Sequence, residues 1–258
     1  MPINSEAKGK STKDQASSIL TINGGSSSIR FAQYEAGSLR RRLVGKVDRI
    51  GLSGTTFSFN DTSGASEVNR AVEAGNRQSA IAFLIDWLEM QQIFSSVIAV
   101  GHRVVHGMGH HEPEQVTPAL LDELKRIMPF DPEHLPIEIE FIEAICQRHP
   151  ALPQVACFDT AFHRTMPRVA SMLPIPRRYE AAGVRRYGFH GLSYEFLIGE
   201  LARLGDPAAT AGRVILAHLG NGASLAAVRD GRSVDTSMGF TPAGGFMMSS
   251  RSGTCIQG

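Results

Sequence analysis

The sequence predicts a mixed α/β fold, a sheet with helices packed against it. Three observations predict it: the chain opens on β-hairpin signals, it continues as strands alternating with amphipathic helices, and no internal repeat or long linker interrupts that order. A first strand at Ile19–Asn23 and a second at Ile29–Tyr34 flank the turn Gly24-Gly25-Ser26-Ser27-Ser28. Strand-like runs follow at Leu43–Val47 and Thr56–Phe59. Ile81, Leu84, Ile85 and Leu88 fall at i, i+3, i+4 and i+7, one buried stripe of a helix, with Trp87 beside it. A short strand, Val97–Val100, leads into Gly101-His102-Arg103-Val104-Val105-His106-Gly107. Thr117 before Pro118 reads as an N-cap with proline at the first helical position, opening a helix to about Ile127. Leu135, Ile139 and Ile142 mark another helix ending near Cys146, and the strand Gln154–Phe158 closes on Asp159. A helix carrying Phe196, Leu197 and Leu201 precedes the strand Val214–His218. A second hairpin pairs Ser224–Val228 with Ser233–Thr236 across Arg229-Asp230-Gly231-Arg232.

Composition narrows the function classes. Lys plus Arg number 26 against 25 Asp plus Glu, a formal net charge of +1. That balance gives no overall basic field for a nucleic-acid backbone. No eighteen apolar residues run together, so no segment is expected to span a bilayer. Residues 1–18 are polar, lack the apolar stretch of a signal peptide, and read as a loose leader on a cytoplasmic chain. Cys146, Cys157 and Cys255 form no CxxC pair, which argues against a disulfide framework or a structural zinc site. His102, His106, His110 and His111 crowd together without an HExxH pattern and read as hydrogen-bonded loop residues.

Polar residues recur at strand ends, where ligand sites of α/β sheets tend to lie. Asn23 ends the first strand, Arg103 follows the strand at 97–100, Asp159 ends the strand at Phe158, and Asn221 sits in Gly220-Asn221-Gly222 after another. The Gly24–Ser28 turn offers backbone N–H groups and hydroxyls to an anion, although no Walker lysine follows and an ordinary hairpin turn fits it as well. Gly220-Asn221-Gly222-Ala223-Ser224 lacks the third glycine of a dinucleotide fingerprint. No Gly-x-Ser-x-Gly elbow supports a serine hydrolase. His190 could equally be a satisfied core histidine, and Asp159 a turn cap. Arg251, among Met247-Met248-Ser249-Ser250 and Ser252-Gly253, has a better than usual case for gripping an anion, because its fork matches carboxylate and phosphate bidentately.

In series these motifs stop being independent. Asn23-Gly-Gly-Ser-Ser-Ser-Ile-Arg-Phe31, Gly101-His-Arg-Val-Val-His-Gly107, Phe158-Asp-Thr-Ala-Phe-His163 and Tyr187-Gly-Phe-His-Gly191 occur in order. His218-Leu-Gly-Asn-Gly-Ala-Ser224, Ser233-Val-Asp-Thr-Ser-Met-Gly-Phe-Thr-Pro242 and Met247-Met-Ser-Ser-Arg-Ser-Gly253 follow. The series resembles the acetate/butyrate kinase family of the actin, Hsp70 and sugar-kinase superfamily, from about Ile19 to Gly253.

The resemblance implies a ribonuclease H-like (actin-like ATPase) fold, with a leader at 1–18, an N-terminal domain at 19–165 and the start of a second, incomplete domain at 166–258. It implies reversible phosphoryl transfer from ATP to acetate, giving acetyl phosphate and ADP, with Mg²⁺ or Mn²⁺. Asn23 would help place the metal, with Ser26, Ser28 and Arg30 near the phosphates. Arg103 and Arg251 would bind the carboxylate and the phosphoryl group in flight, Asp159 would orient an arginine or substrate, and His190 would stabilise the transferring group. His218, Gly220, Asn221 and Gly222 belong to a phosphate-binding segment, while Val105, Phe189 and Pro242 match positions lining a methyl pocket. A carboxylate already carries its nucleophilic charge, so such a site needs no general base. It must hold two anions in line and offset the charge between them.

The chain also departs from the family pattern. Arg30 stands for a lysine, Tyr194 for a histidine and Thr254 for an aspartate. Pro129-Phe130-Asp131 replaces a Pro-Leu-His run, an expected change in the pocket wall and its charge that favours acetate by shrinking the pocket. Relative to the family the chain is expected to lack most of the adenosine site and a metal-associated glutamate, to turn over little alone, and to expose an apolar patch. Full-length members commonly pair as homodimers. The alternatives are a propionate or butyrate kinase, or an inactive anion-binding fragment.

Overall fold

The computed structural model describes residues 17–25, 27–249 and 251–254. Five strands open the fold as an antiparallel meander: β1 (Ser18–Gly24), β2 (Ser28–Glu35), β3 (Arg41–Asp48), β4 (Thr56–Asp61) and β5 (Ser66–Ala71). Strand β5 is absent from the sequence reading. Its segment, SEVNRA, is almost wholly exposed and has no apolar alternation, so backbone pairing to β4 holds it as a sheet edge. Arg70 lies 5.4 Å from the Phe57 ring centroid, a cation–π contact that covers the aromatic core at this edge.

Helix α1 (Arg77–Met90) begins at Asn76, whose side chain accepts from the Ser79 N–H while the Ser79 hydroxyl returns a bond to the Asn76 backbone. Its stripe of Ile81, Leu84, Ile85 and Leu88 is buried, and Trp87 packs against Phe31, Phe57 and Phe59. Strand β6 (Val97–Val104) runs four residues further than the apolar pattern at 97–100 indicates. Gly101, His102 and Arg103 stay in the strand because parallel neighbours pair with it on both sides. His102 is therefore a buried strand residue rather than a loop residue, bonded through Nε2 to Gln154 Oε1 at 2.6 Å.

Strand β7 (Glu114–Gln115) is a two-residue edge piece. Helix α2 (Pro118–Ile127) starts as the sequence predicts, with the Thr117 hydroxyl accepting from the Leu120 N–H. Helix α3 (Leu135–Arg148) and strand β8 (Gln154–Phe158) complete the first sheet, ordered β5-β4-β3-β2-β1-β6-β8-β7. One core packs α1 and α3 on this sheet through Leu20, Ile29, Leu84, Phe141 and Ile145, and a second joins α2 and α3 through Leu124, Leu135 and Ile142. Burying each such side chain contributes about 1.5–3 kcal/mol.

Short helices α4 (Arg168–Ser171) and α5 (Arg177–Ala181) lead to α6 (Gly191–Arg203) and a smaller antiparallel sheet, β11-β10-β9, formed by β9 (Arg213–Leu219), β10 (Ala223–Arg229) and β11 (Arg232–Thr236). Tyr194, Leu216, Ala226 and Val228 pack α6 onto one face of it. The opposite face presents Ile215, 72% exposed, Leu219, 78%, and Leu225, 39%. Phe196, named with Leu197 and Leu201 as marking this helix, is also exposed. Among the described residues no helix is long and apolar enough to cross a membrane.

Candidate active site

Strands β1, β6 and β8 lie side by side and parallel, with Ile22 opposite His102 and Arg103 opposite Cys157. Their carboxyl ends therefore bring Asn23, Arg103 and Asp159 to one edge of the sheet. Arg103 donates from Nη1 to Asn23 Oδ1 at 3.0 Å, from Nε to Asp159 Oδ2 at 3.0 Å, and from Nη2 to the same oxygen. Asp159 is 1% exposed and the Arg103 side chain 22%. Burial alone would raise the carboxyl pKa, but the guanidinium charge and hydrogen bonds overcome it and hold Asp159 below the usual carboxylate range. Burial likewise opposes the charge on Arg103, and Asp159 reverses that effect.

The segment Tyr187–Gly191 carries His190 in from the other side. His190 adopts a left-handed backbone, φ 61°, at the N-cap of α6, held where its N–H donates to Asp159 Oδ2 at 3.3 Å. Its ring stacks on His218, centroids 4.0 Å apart. Burial first, then the neighbouring His218, push the His190 pKa down to about 3; Asp159 opposes them, and Arg103 and Arg251 add lesser downward pushes. His218 is also lowered, by burial and Arg103, and bonds through Nδ1 to the Ser193 hydroxyl at 3.0 Å. Both rings are therefore neutral near pH 7, and the positive charge offered to an anion here is that of the Arg103 and Arg251 guanidiniums.

All these groups line one open cavity of about 920 Å³. Asn23, Ser28, Arg30, Arg103, Val105, Asp159, Phe189, His190, His218, Gly220, Asn221, Gly222, Pro242 and Arg251 are on its wall. Ser26 lies outside the described residues, as does Cys255. Gly220 donates its N–H to the Gly222 carbonyl at 3.1 Å, and Gly222 lets the turn pass the site. A Cβ on Gly222 would stand 3.2 Å from Arg251 Nη1 and 3.3 Å from His190 Nε2. Arg251 donates to the Pro242 carbonyl at 3.1 Å and approaches Glu133 at 3.8 Å, so it is nearer an acidic group than its sequence neighbours indicate.

The wall expected to change at 129–131 is arranged differently from the sequence reading. Phe130 does not line the cavity; its ring packs edge-on against Phe240, centroids 5.2 Å apart. The altered charge lies one layer back, where the buried Asp131 bonds through Oδ1 to His134 Nδ1 at 2.8 Å, and His134 lines the cavity. The sequence reading missed His134, Cys157, Leu192 and Ser193 on the wall. It also missed Glu138, a buried carboxylate of α3 that accepts from the Val105 N–H at 3.2 and 3.1 Å. Burial pushes the Glu138 pKa well above the carboxylate range, despite the opposing Arg103 charge.

A divalent ion finds few ligands here. Asn23 offers one amide oxygen, already accepting from Arg103, and no cluster of three His, Cys, Asp or Glu side chains suits a metal among the described residues. The residues present do not fit a protein-built ion cage.

The sequence matches the Acetokinase family over residues 18–257. It is 42% identical over 241 residues to an acetate kinase of Rhodopseudomonas palustris, covering 91% of this chain and 60% of that protein. It is 45% identical over 236 residues to an acetate kinase of Deinococcus radiodurans, covering 91% of this chain and 59% of the other. Among solved structures, a propionate kinase from Francisella tularensis superposes with a TM-score of 0.83 at 37% identity, over 93% of this chain and 62% of its own. A Porphyromonas gingivalis acetate kinase gives 0.79 at 32% identity, over 94% and 62%. The chain thus spans about 60% of the length of these curated relatives. With these structures it shares the actin-like ATPase fold, and the chain belongs to the acetokinase family.

Proposed function

We propose that the cavity serves reversible phosphoryl transfer between ATP and acetate. The observation that carries this reading is the convergence of Arg103, His190, His218 and Arg251 around one space, with Asp159 fixing the first two. Arg103 and Arg251 hold the carboxylate and the phosphoryl group close enough to react, and Val105, Phe189 and Pro242 receive the methyl group. A carboxylate oxygen attacks the γ-phosphorus, the bond to the bridging oxygen breaks, and ADP leaves with the electron pair. Charge on the transferring group is offset by the two guanidiniums and by His190. Ser28, Arg30 and the Gly220–Gly222 turn face the nucleotide phosphates. Magnesium belongs to this reading only as an ion that would arrive with the nucleotide.

Titrating the 258-residue chain with acetyl phosphate tests the reading. Binding should saturate and be competed by acetate and by inorganic phosphate. No saturable binding, or binding unaffected by Arg103→Ala, removes it. Turnover is read separately by trapping acetyl phosphate as the hydroxamate, and robust ATP-dependent product would refute the expectation that this chain alone turns over little. A propionate-directed site is the second reading, favoured by the likeness to the Francisella propionate kinase. Competition between acetyl and propionyl phosphate for the chain decides between them.

A further inference from the structure

Behind His190 two hydroxyl groups are fully buried, those of Ser224 and Tyr194, both 0% exposed. Ser224 Oγ lies 2.8 Å from His190 Nδ1 and in hydrogen-bond contact with the Tyr194 hydroxyl. We propose that Tyr194 and Ser224 are positioning residues, a one-way hydrogen-bond chain that fixes His190 as the neutral tautomer with its proton on Nε2, at the cavity.

The direction of the chain follows from counting donors. The Tyr194 hydroxyl has one hydrogen-bond partner among the described residues, the Ser224 hydroxyl. Burial raises the Tyr194 pKa, so the phenol keeps its proton. Among the described residues that proton has one acceptor in reach, Ser224 Oγ. Ser224 must then send its own proton onward, and its remaining partner is His190 Nδ1. Nδ1 therefore accepts, and a neutral imidazole that accepts at Nδ1 carries its proton on Nε2. Nε2 stands next to Arg251 across the Gly222 turn, where a Gly222 Cβ would lie 3.3 Å away.

The reverse direction fails on two counts. It would leave the buried phenol proton without an acceptor among the described residues, a desolvation penalty with nothing to offset it. It would also turn the Nε2 lone pair toward any bound anion. With the proton on Nε2, His190 donates to a phosphoryl oxygen without first being protonated. This consequence rests on the proposed phosphoryl transfer; the tautomer itself does not.

The experiment is a long-range proton–nitrogen correlation spectrum of the full chain with nitrogen-labelled histidine, at neutral pH and without ligand. His190→Gln identifies the His190 signals by their loss. The expected spectrum has a proton-bearing Nε2 and a bare Nδ1; a proton on Nδ1, or a doubly protonated ring, overturns the proposal. Tyr194→Phe, which keeps the packing, should let Ser224 turn and produce a mixture of tautomers, and Ser224→Ala should do the same. Ser224→Thr, which keeps the hydroxyl, should restore the single tautomer. An unchanged tautomer in Tyr194→Phe overturns the chain as its cause. Ser224→Ala should also weaken acetyl phosphate binding about ten- to a hundredfold. Should wild type fail to bind acetyl phosphate, the functional reading falls while the ligand-free spectrum still decides the tautomer.

Discussion

Replacing Asp159 with alanine removes the group on which both sides of the site lean. Its Oδ2 accepts from Arg103 and from the His190 N–H, and without it the guanidinium keeps, among the described residues, one hydrogen-bond acceptor, Asn23 Oδ1 at 3.0 Å. Breaking a buried ion pair from one side costs about 3–5 kcal/mol, because a charge is left without compensation. The Arg103 side chain is 22% exposed, so water solvates part of the orphaned charge, and the expected loss falls to about 2–4 kcal/mol. Removing both charges as Arg103→Leu with Asp159→Leu should cost less than Asp159→Ala alone, since no charge is then stranded. The assay is urea unfolding followed by the fluorescence of Trp87, the one tryptophan, which is buried against Phe57 and Phe59. A loss below about 1 kcal/mol, or a double variant no more stable than the single, refutes the claim that Asp159 chiefly compensates Arg103.

Other consequences can be measured on the same protein. Burial lowers His102 and His163 to about 4, below the ordinary 6.5, so the unfolded chain takes up protons first as pH falls. Their contribution is complete above about pH 6.5 and is lost toward pH 4, up to about 3 kcal/mol each. His102→Gln should flatten the pH dependence of unfolding free energy across that window. Gly222→Ala brings a methyl group to 3.2 Å from Arg251 and 3.3 Å from His190, and should weaken acetyl phosphate binding roughly tenfold while the urea midpoint barely moves. Asn76→Ala removes the capping box of α1, far from the cavity, and should cost about 1 kcal/mol in urea unfolding without altering binding.

What the sequence reveals follows the physics of its signals. Thr117 before Pro118 marks the start of α2 because cap and proline both act locally, and the Ile81–Leu88 stripe shows α1 because its period is regular. Strand β5 and the far half of β6 escape the pattern because pairing to neighbouring strands, rather than side-chain burial, defines them. The site is partly legible because Asn23, Arg103 and Asp159 all fall at or just beyond the ends of apolar runs. Glu138 is not, since a glutamate in the first turn of a helix reads as a solvated charge, and only the fold places it under Val105. Asp131 and His134 hide similarly: which of two nearby polar residues meets the cavity depends on how the chain enters α3.

A crystal structure of the chain grown with acetyl phosphate tests the central claim most directly. The account predicts phosphoryl oxygens within hydrogen-bond reach of Arg103, Arg251 and His190 Nε2, with the methyl group against Val105, Phe189 and Pro242. Acetyl phosphate bound outside this cavity, or bound within it while those side chains point away, would contradict it.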